Sequence, residues 1–567
     1  MLQTLLLVLF VSFVITTLGL NVILIYRRSR PITIDGELLV LAFFSGLSVA
    51  ALLSSWLSLF SPLSFWILTP IVSAALINIF FKRKALEWKI HLNFKSYKSE
   101  FIVFIVVCLL FIQQGSLIPF MPDTKTYHLQ IVRWYQEYKT VPGVANLYPR
   151  YGFYSNWFHL VSILSFSANQ ENLLYLNTTL SIWFTLFLFL KISNHRASHV
   201  THHRFFTLLY TSLLLFMFIG WNLLRGNCRS TNNDFIVTVL ILYILLNISE
   251  SLLLKKPLPA EMNIIFILSA SVPFYKLTGA FVLIIICIYL IQTKQVHKQL
   301  YSITVAFSLF AIPYLIKNFI QTGYIFFPFT FFDIFTPDWK LPAEMANRFN
   351  EYISLSNKYI YTNVPSEAWE KPSYNWLNSW YFKLAFYDKV LLLLNVATVF
   401  FFLFKGFKNT SFKHLNPYLL VQIPVCFLWF ISGPDPRFLY GYILFSTFTI
   451  LSIIVLKYLK PKSFCILTSL AFVTILLLST YKGFTYQGFL VRALPAEKTS
   501  FKEVTINNTS FIIPDRNKNT GMLHCEILAI PCIYQFNPYL QMRGESIESG
   551  FRMNTPVDSG FINKYRF

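Results

Sequence analysis

Leu38-Leu-Val-Leu-Ala-Phe-Phe-Ser-Gly-Leu-Ser-Val-Ala-Ala-Leu-Leu-Ser-Ser-Trp-Leu-Ser-Leu-Phe60 runs for 23 residues without a charge. At 1.5 Å per residue such a helix is about 35 Å long, enough to cross a hydrocarbon core of about 30 Å. Comparable runs recur along the whole 567-residue chain, at 3–26, 63–81, 101–118, 172–190, 205–222, 235–254, 262–273, 279–292, 300–316, 389–404, 416–431, 438–456 and 463–481. Pro273 and Gly279 divide the stretch 262–292 into two short spans. The first run has neither a basic leader nor a cleavage site, so it reads as an anchor. The expectation is an all-α polytopic membrane protein of about 14 transmembrane helices. Composition agrees, with 55% hydrophobic and 13% charged residues, against about 25% charged in soluble domains. Seven cysteines are too few for a disulfide-stapled scaffold.

The net charge of +22 follows from membrane topology and does not call for a nucleic-acid partner. Alternate loops collect Arg27, Arg28 and Arg30, residues 82–98, 191–204, Lys255 and Lys256, Lys294 and Lys298, 405–413 and 457–462. They hold 22 of the 47 Lys and Arg but, even with the span-edge acids Asp35, Glu37, Glu100, Glu250 and Glu261 counted beside Glu87, 6 of the 25 acids. That bias makes them cytoplasmic and places both termini outside. His195, His199, His202 and His203 sit there among Arg196 and Arg204 and read as a solvated loop. The outer face receives loops at 119–171, 223–234 and 317–388, and a polar tail of about 85 residues. Two outer segments are expected to lie at the headgroup boundary. One is an amphipathic helix over 124–139, with Tyr127, Ile131, Trp134 and Tyr138 on one face; the other is Trp157–Ala168.

Five pieces of chemistry fall on that outer face. Pro122-Asp123-Thr-Lys-Thr-Tyr127-His128 opens the first loop, followed by Arg133 and Arg150. Asp123 caps the following helix, serves as a partly desolvated carboxylate, or does both. Arg225-Gly-Asn-Cys-Arg229-Ser-Thr-Asn-Asn-Asp234 brings an acid into a span. Lys276 lies in Pro273-Phe-Tyr-Lys-Leu-Thr-Gly279, either as a functional cation or as a snorkelling anchor. Lys317 and Asn318 close a further span, and Gly433-Pro-Asp435-Pro-Arg437 is a rigid turn. Cations at a bilayer surface hold a lipid phosphate or serve as headgroup anchors, and a carboxylate beside a bound phosphate can take a hydroxyl proton. Asp123 and His128 are the two residues that a Mg or Mn ion would use, and two ligands do not complete a site. Cys525 and Cys532 would pair in an oxidising compartment.

An acid just after an outward-going span, followed by an amphipathic loop with Tyr and Arg, resembles the first outer loop of GT-C type membrane glycosyltransferases. These include the protein O-mannosyltransferase and aminoarabinose-transferase types. Ile312-Pro-Tyr-Leu-Ile-Lys-Asn-Phe-Ile-Gln-Thr-Gly-Tyr-Ile-Phe-Phe-Pro328 is similar to their Pro-Trp-x-x-Arg-Asn-x-x-x-x-Gly-x-x-x-x-Pro pattern. Here Lys317 stands for the Arg, Thr124 for a usual second acid, and three spans precede the loop. The Asp-Thr-x-x-Tyr-His opening looks closest to bacterial membrane proteins of this broad type. The resemblance covers about 100–460. It implies a GT-C-like core at 100–481, preceded by a three-helix segment at 1–99 and followed by a small extracytoplasmic domain at 482–567.

The resemblance further implies an inverting transferase in a bacterial inner membrane. Its donor would be a polyprenyl-phosphate-linked sugar, and its acceptor an envelope glycan, lipid or protein. Asp123 would be the base. Tyr127, His128, Arg133, Arg150, Arg229, Asp234, Lys276, Lys317, Asp435 and Arg437 would bind substrate among membrane lipids. The alternatives are an O-antigen or capsule polymerase or ligase, whose usual groups are Arg and His, and a lipid-linked saccharide transporter or flippase. A transporter predicts charges deep within the spans and inverted repeats.

Overall fold

The computed structural model describes every residue except 28–30, 89–97, 118, 120, 166–174, 197, 199, 220–225, 256–263, 361–363, 366–367, 370–374, 407–410, 486–499, 516–524, 526–529 and 566–567. The helices are α1 (Leu2–Arg27), α2 (Gly36–Leu57), α3 (Phe65–Phe81), α4 (Lys98–Gly115), α5 (Leu129–Glu137), α6 (Asn156–Leu164), α7 (Tyr175–Arg196), α8 (Thr201–Ile219), α9 (Asp234–Leu253), α10 (Ile264–Ser271), α11 (Phe281–Gln292), α12 (Val296–Thr322), α13 (Ala343–Lys358), α14 (Trp376–Lys383), α15 (Phe386–Lys405), α16 (Asn416–Ser432), α17 (Tyr440–Tyr458), α18 (Pro461–Thr485) and α19 (Ser559–Lys564). Three short two-stranded sheets complete the described residues. They pair β1 (Ile32–Ile34) with β2 (Leu86–Trp88) in parallel, and β3 (Phe501–Ile506) with β4 (Thr509–Pro514) and β5 (Leu540–Met542) with β6 (Phe551–Met553) antiparallel.

Every apolar run of the sequence contains a helix. Among the described residues, eight helices are long and apolar enough to cross a membrane: Leu2–Arg27, Gly36–Leu57, Leu176–Arg196, Asp234–Leu253, Gln299–Thr322, Phe386–Lys405, Lys413–Ser432 and Tyr440–Tyr458. The chain is a mainly helical membrane protein. Five further apolar helices are shorter: Phe65–Phe81, Phe101–Gly115, Ile264–Phe274, Leu277–Gln292 and Ile466–Tyr481. The break between the third and fourth of these falls at Val272–Ala280, where two 3-10 turns surround Pro273 and Gly279.

Local sequence explains the ends. Asp35 Oδ1 accepts from the Leu38 amide at 2.8 Å and caps α2. Gly323, at φ 82°, takes the left-handed position that ends α12. Helix α1 lies directly on α2: a Cβ at Gly19 would stand 1.7 Å from the Ala42 carbonyl oxygen, and one at Gly46 would stand 1.9 Å from that of Ile15. Small residues at such crossings let backbones touch where lipid offers no hydrophobic drive for association. Helices α7 and α9 pack behind this pair, with Phe43 stacked on Trp183 at 4.6 Å.

Two expectations about the outer face are corrected. Helix α5 is amphipathic, but its apolar side packs on protein rather than lipid. Leu129, Ile131, Val132, Trp134 and Tyr135 are buried, α6 lies alongside, and Phe551 of the tail meets Trp134 edge-on at 6.0 Å. Helix α6, expected at the headgroup boundary, is buried along its whole length and packs on α2. Periodicity marks an apolar face without saying whether lipid or protein covers it.

The tail docks on the loop between α5 and α6 and shares a core with it. The Phe551 amide donates to the Pro142 carbonyl at 3.0 Å, and Asn146 Nδ2 donates to the Phe551 carbonyl at 3.2 Å. Tyr148 faces Tyr534 at 4.2 Å. Met553, Val557, Ile562 and Tyr565 bury against Tyr324, Phe327, Met345 and Phe349. Cys525 and Cys532 form a disulfide. Tyr151 Oη donates to the Cys532 carbonyl at 3.2 Å, which places that disulfide beneath the loop.

The histidine tract at 195–203 is also not what its composition suggests. His199 lies outside the described residues. His195 is buried, its Nε2 2.7 Å from Glu250 Oε1 and its Nδ1 2.7 Å from His203 Nδ1. Lys191 Nζ joins Glu37 at 2.7 Å and Glu250 at 2.6 Å, and Tyr210 donates to Glu250 at 2.5 Å. The cause lies in Glu37 and Glu250. Acids from α2 and α9 draw the Lys and His of α7 inward, because a buried carboxylate must be paired.

Candidate functional site

The loop after α4 contains a π-turn at Thr124–His128 that runs into α5. Such turns add a residue to the helical register and recur at functional sites. Asp123 already has helical φ and ψ, and its side chain makes no capping bond. The carboxylate instead turns toward two guanidinium groups: Arg150 Nη1 lies 3.4 Å from Oδ1, and Arg437 Nη1 lies 3.9 Å from Oδ2. It remains 26% exposed. The capping alternative is therefore not realised.

Each of the two arginines is held from behind. Arg437 donates from its backbone amide and from Nε to the two oxygens of Asp435, both at 2.9 Å. Asp435 thus points Arg437 at Asp123. The Gly433–Arg437 turn is held in turn by two tryptophans: Trp380 Nε1 donates to the Pro434 carbonyl at 2.6 Å and Trp429 Nε1 to that of Asp435 at 2.7 Å. Arg150 lies between the rings of Tyr127 and Tyr352, at 5.2 and 5.6 Å, and donates to Tyr352 Oη at 3.3 Å. Flanking π faces favour a planar guanidinium and fix its orientation.

The second acid-base pair stands close by. Asp234 opens α9, and the helix N-terminus favours its charge. It pairs with Lys276, whose ammonium lies 3.5 Å from the centroid of the Phe438 ring. The backbone around this pair is stitched together. Asn233 Nδ2 donates to the Tyr275 carbonyl at 2.9 Å, and the Thr231 amide donates to Thr124 Oγ1 at 3.2 Å. Residues 123–128, 150, 231–234, 273–276 and 433–438, far apart in sequence, thus meet at one place.

Electrostatics follow from this geometry. Burial pushes the Asp123 carboxyl upward, but the fields of Arg437, Arg150, His128 and Lys276 outweigh it and hold Asp123 below its usual value. Asp123 is therefore ionised at neutral pH. Burial lowers His128 to about 4, so its imidazole is neutral there. His128 packs between Tyr127 at 4.4 Å and Phe158 at 4.7 Å. The single carboxylate of the Asp123–His128 pair faces Arg150, Arg437 and Lys276, and no group of three metal-ligating side chains occurs among the described residues.

Other sequence candidates lie elsewhere. Arg133 pairs with Glu137 one turn along α5. Arg229 is buried in the turn ahead of Asp234, and Arg225 lies outside the described residues. Lys317 is 0% exposed. It donates to Ser58 Oγ and, at 2.8 Å, to His159 Nε2. The Ser155 carbonyl, 3.0 Å away, can only accept, so His159 Nδ1–H donates to it and Nε2 of that tautomer accepts from Lys317. Ser155 Oγ in turn donates to the Tyr275 carbonyl at 2.7 Å. Lys317 therefore supports the backbone beside Lys276 from a distance.

The matching family is a domain of unknown function (DUF8201), whose model covers residues 1–444. This chain belongs to the DUF8201 family. The DUF8201 region contains every residue of the Asp123 cluster and stops within α17, so the docked tail lies beyond it. No curated protein and no solved structure matches the chain.

The DUF8201 region also contributes residues that the sequence reading passed over. Tyr440 Oη donates to Asp388 Oδ1 at 2.6 Å, which brings a further buried acid toward Asp435 and Arg437. Asp388 enters α15 in its first turn as Asp234 enters α9, so the same signal was present. Ser155 and His159 carried no such mark.

Proposed function

We propose that the chain is a GT-C type glycosyltransferase of a bacterial inner membrane, working on the outer face with a polyprenyl-phosphate-linked sugar. The observation that carries this reading is the convergence of Asp123 with Arg150, Arg437 and the Lys276–Asp234 pair at one mouth of the bundle. In this reading the fourteen apolar runs of the sequence are fourteen spans, and the charge bias of the loops places both termini outside.

In this reading Arg150, Arg437 and Lys276 hold the donor phosphate. The acceptor hydroxyl oxygen attacks the anomeric carbon from the opposite side, and Asp123 takes its proton. The bond from the anomeric carbon to the phosphate oxygen breaks, and the lipid phosphate leaves with that electron pair. Donor binding also strengthens the base, because a phosphate engaging the two arginines cancels the charges that hold Asp123 low.

The test is transfer from a mixed set of radiolabelled polyprenyl-phosphate sugars, using the purified chain in nanodiscs with envelope extract as acceptor. Asp123→Asn is expected to slow transfer by about 10²–10⁴-fold. Full transfer by that variant overturns the assignment.

A second reading, a flippase for the same lipid-linked saccharides, is favoured by the buried Glu37–Lys191–Glu250–His195 network. Charges within spans mark substrate or ion pathways. Movement of labelled lipid between leaflets without transfer selects it.

A further inference from the structure

The segment between α12 and α13 leaves an apolar tip uncovered. Phe329, Phe331, Phe332, Ile334 and Phe335 are all exposed within seven residues, with Phe331 at 68% and Ile334 at 67%. Their rings lean on one another, Phe331 on Phe332 at 4.7 Å and Phe329 on Phe331 at 5.6 Å. A contiguous apolar patch of this kind marks an interaction surface.

Three observations say what covers it. First, α12 is one of the spanning helices, and its exposed side chains Val305, Leu309, Ile312 and Ile316 form a single stripe at helical spacing. The next position of that stripe, Phe319, meets Phe335 of the tip edge-on at 5.1 Å. The tip therefore continues the lipid-facing surface of α12. Second, Asp333 is the one charged residue between Gly323 and Pro337. It is neutralised by Lys340, which also donates to the Phe335 carbonyl at 3.0 Å. Third, polarity returns at the base. Asp338 binds Arg543 of the tail through both oxygens, at 2.8 and 2.9 Å, and Trp339 lies under the same guanidinium at 4.5 Å. An aromatic belt above an apolar tip is the order of groups met on entering a bilayer from water.

We propose that residues 329–335 form a finger that inserts into the outer leaflet, at the boundary between headgroups and acyl chains. The partner is bilayer lipid. The finger is tied to the Asp123 cluster. Phe327 at its base stacks on Phe349 at 5.7 Å and meets Phe153 at 6.2 Å, and Phe153 reaches Tyr127 at 6.3 Å. The proposal does not depend on the transfer chemistry.

The experiment places an environment-sensitive fluorophore on Phe331→Cys or Ile334→Cys, in the full chain with Cys108, Cys228, Cys287, Cys426 and Cys465 replaced by Ala and the disulfide kept. The proteins sit in phosphatidylcholine nanodiscs containing spin-labelled lipid, with the exposed Glu344→Cys as the aqueous control. Both finger positions are expected to be quenched by the lipid about threefold or more beyond the control. They are also expected to be protected from aqueous iodide. Iodide quenching equal to the control overturns the proposal. So does protection from both quenchers, which marks a protein cover such as a second copy. A photocrosslinking variant, Phe331→p-benzoylphenylalanine in the otherwise unaltered chain, gives a lipid adduct if the finger inserts and a chain–chain adduct if a second copy covers it.

Discussion

Asp123 shows how one residue's role depends on neighbours from the whole chain. Its carboxyl lies below its usual value because Arg437, Arg150 and Lys276, brought by other segments, together with His128 of its own turn outweigh its burial. Removing one of them has a defined sign. Arg437→Met takes away the first of the favourable fields, so the Asp123 pKa rises. The acidic limb of the pH profile of kcat/KM for transfer then moves to higher pH, because the carboxylate is lost sooner as pH falls. An unmoved limb would assign it to another group. Asp123, Arg150, Asp234, Lys276, Asp435 and Arg437 were legible in the sequence, because a charge at the end of an apolar run costs too much to be idle. Lys317 was legible as unusual but not in its place. It faces His159 and Ser58 behind the cluster, with the Ser155 backbone between it and Tyr275.

At the scale of elements, helix positions followed directly from hydrophobic runs, and their contacts did not. The Gly19–Gly46 crossing of α1 and α2 is an example. Each glycine leaves the partner helix's carbonyl room that a Cβ would fill. Gly46→Leu is expected to push the helices apart and destabilise the fold by about 1–3 kcal/mol or more. Thermal unfolding in detergent checks this, and an unchanged midpoint would mean that the crossing is not tight. The covering of α5 and α6 was illegible for a related reason. An amphipathic period is the same whether the apolar side meets lipid or protein, and here the tail and α2 supply the cover.

At the scale of the whole molecule, the two ends of α9 carry different charge clusters. Asp234 joins Lys276 beside Asp123 at its start, and Glu250 joins Lys191 and His195 near its end. A reporter enzyme active only outside the cytoplasm, fused after Phe567, is expected to be active, and one fused at Lys294 inactive. The reverse pattern would invert the orientation and remove the outer-face site with it. Spans, their approximate ends, the membrane class and most charged residues of the cluster were all present in the chain's order of residues. Hydrophobicity and charge act locally, so a one-dimensional pattern records them. The joining of five distant segments around Asp123, the seating of the tail on the loop between α5 and α6 and the burial of His195 against Glu250 were not present there. Those depend on which surfaces meet. Pairing of charges and close packing act between residues hundreds of positions apart, and their partners exist only once the helices have assembled.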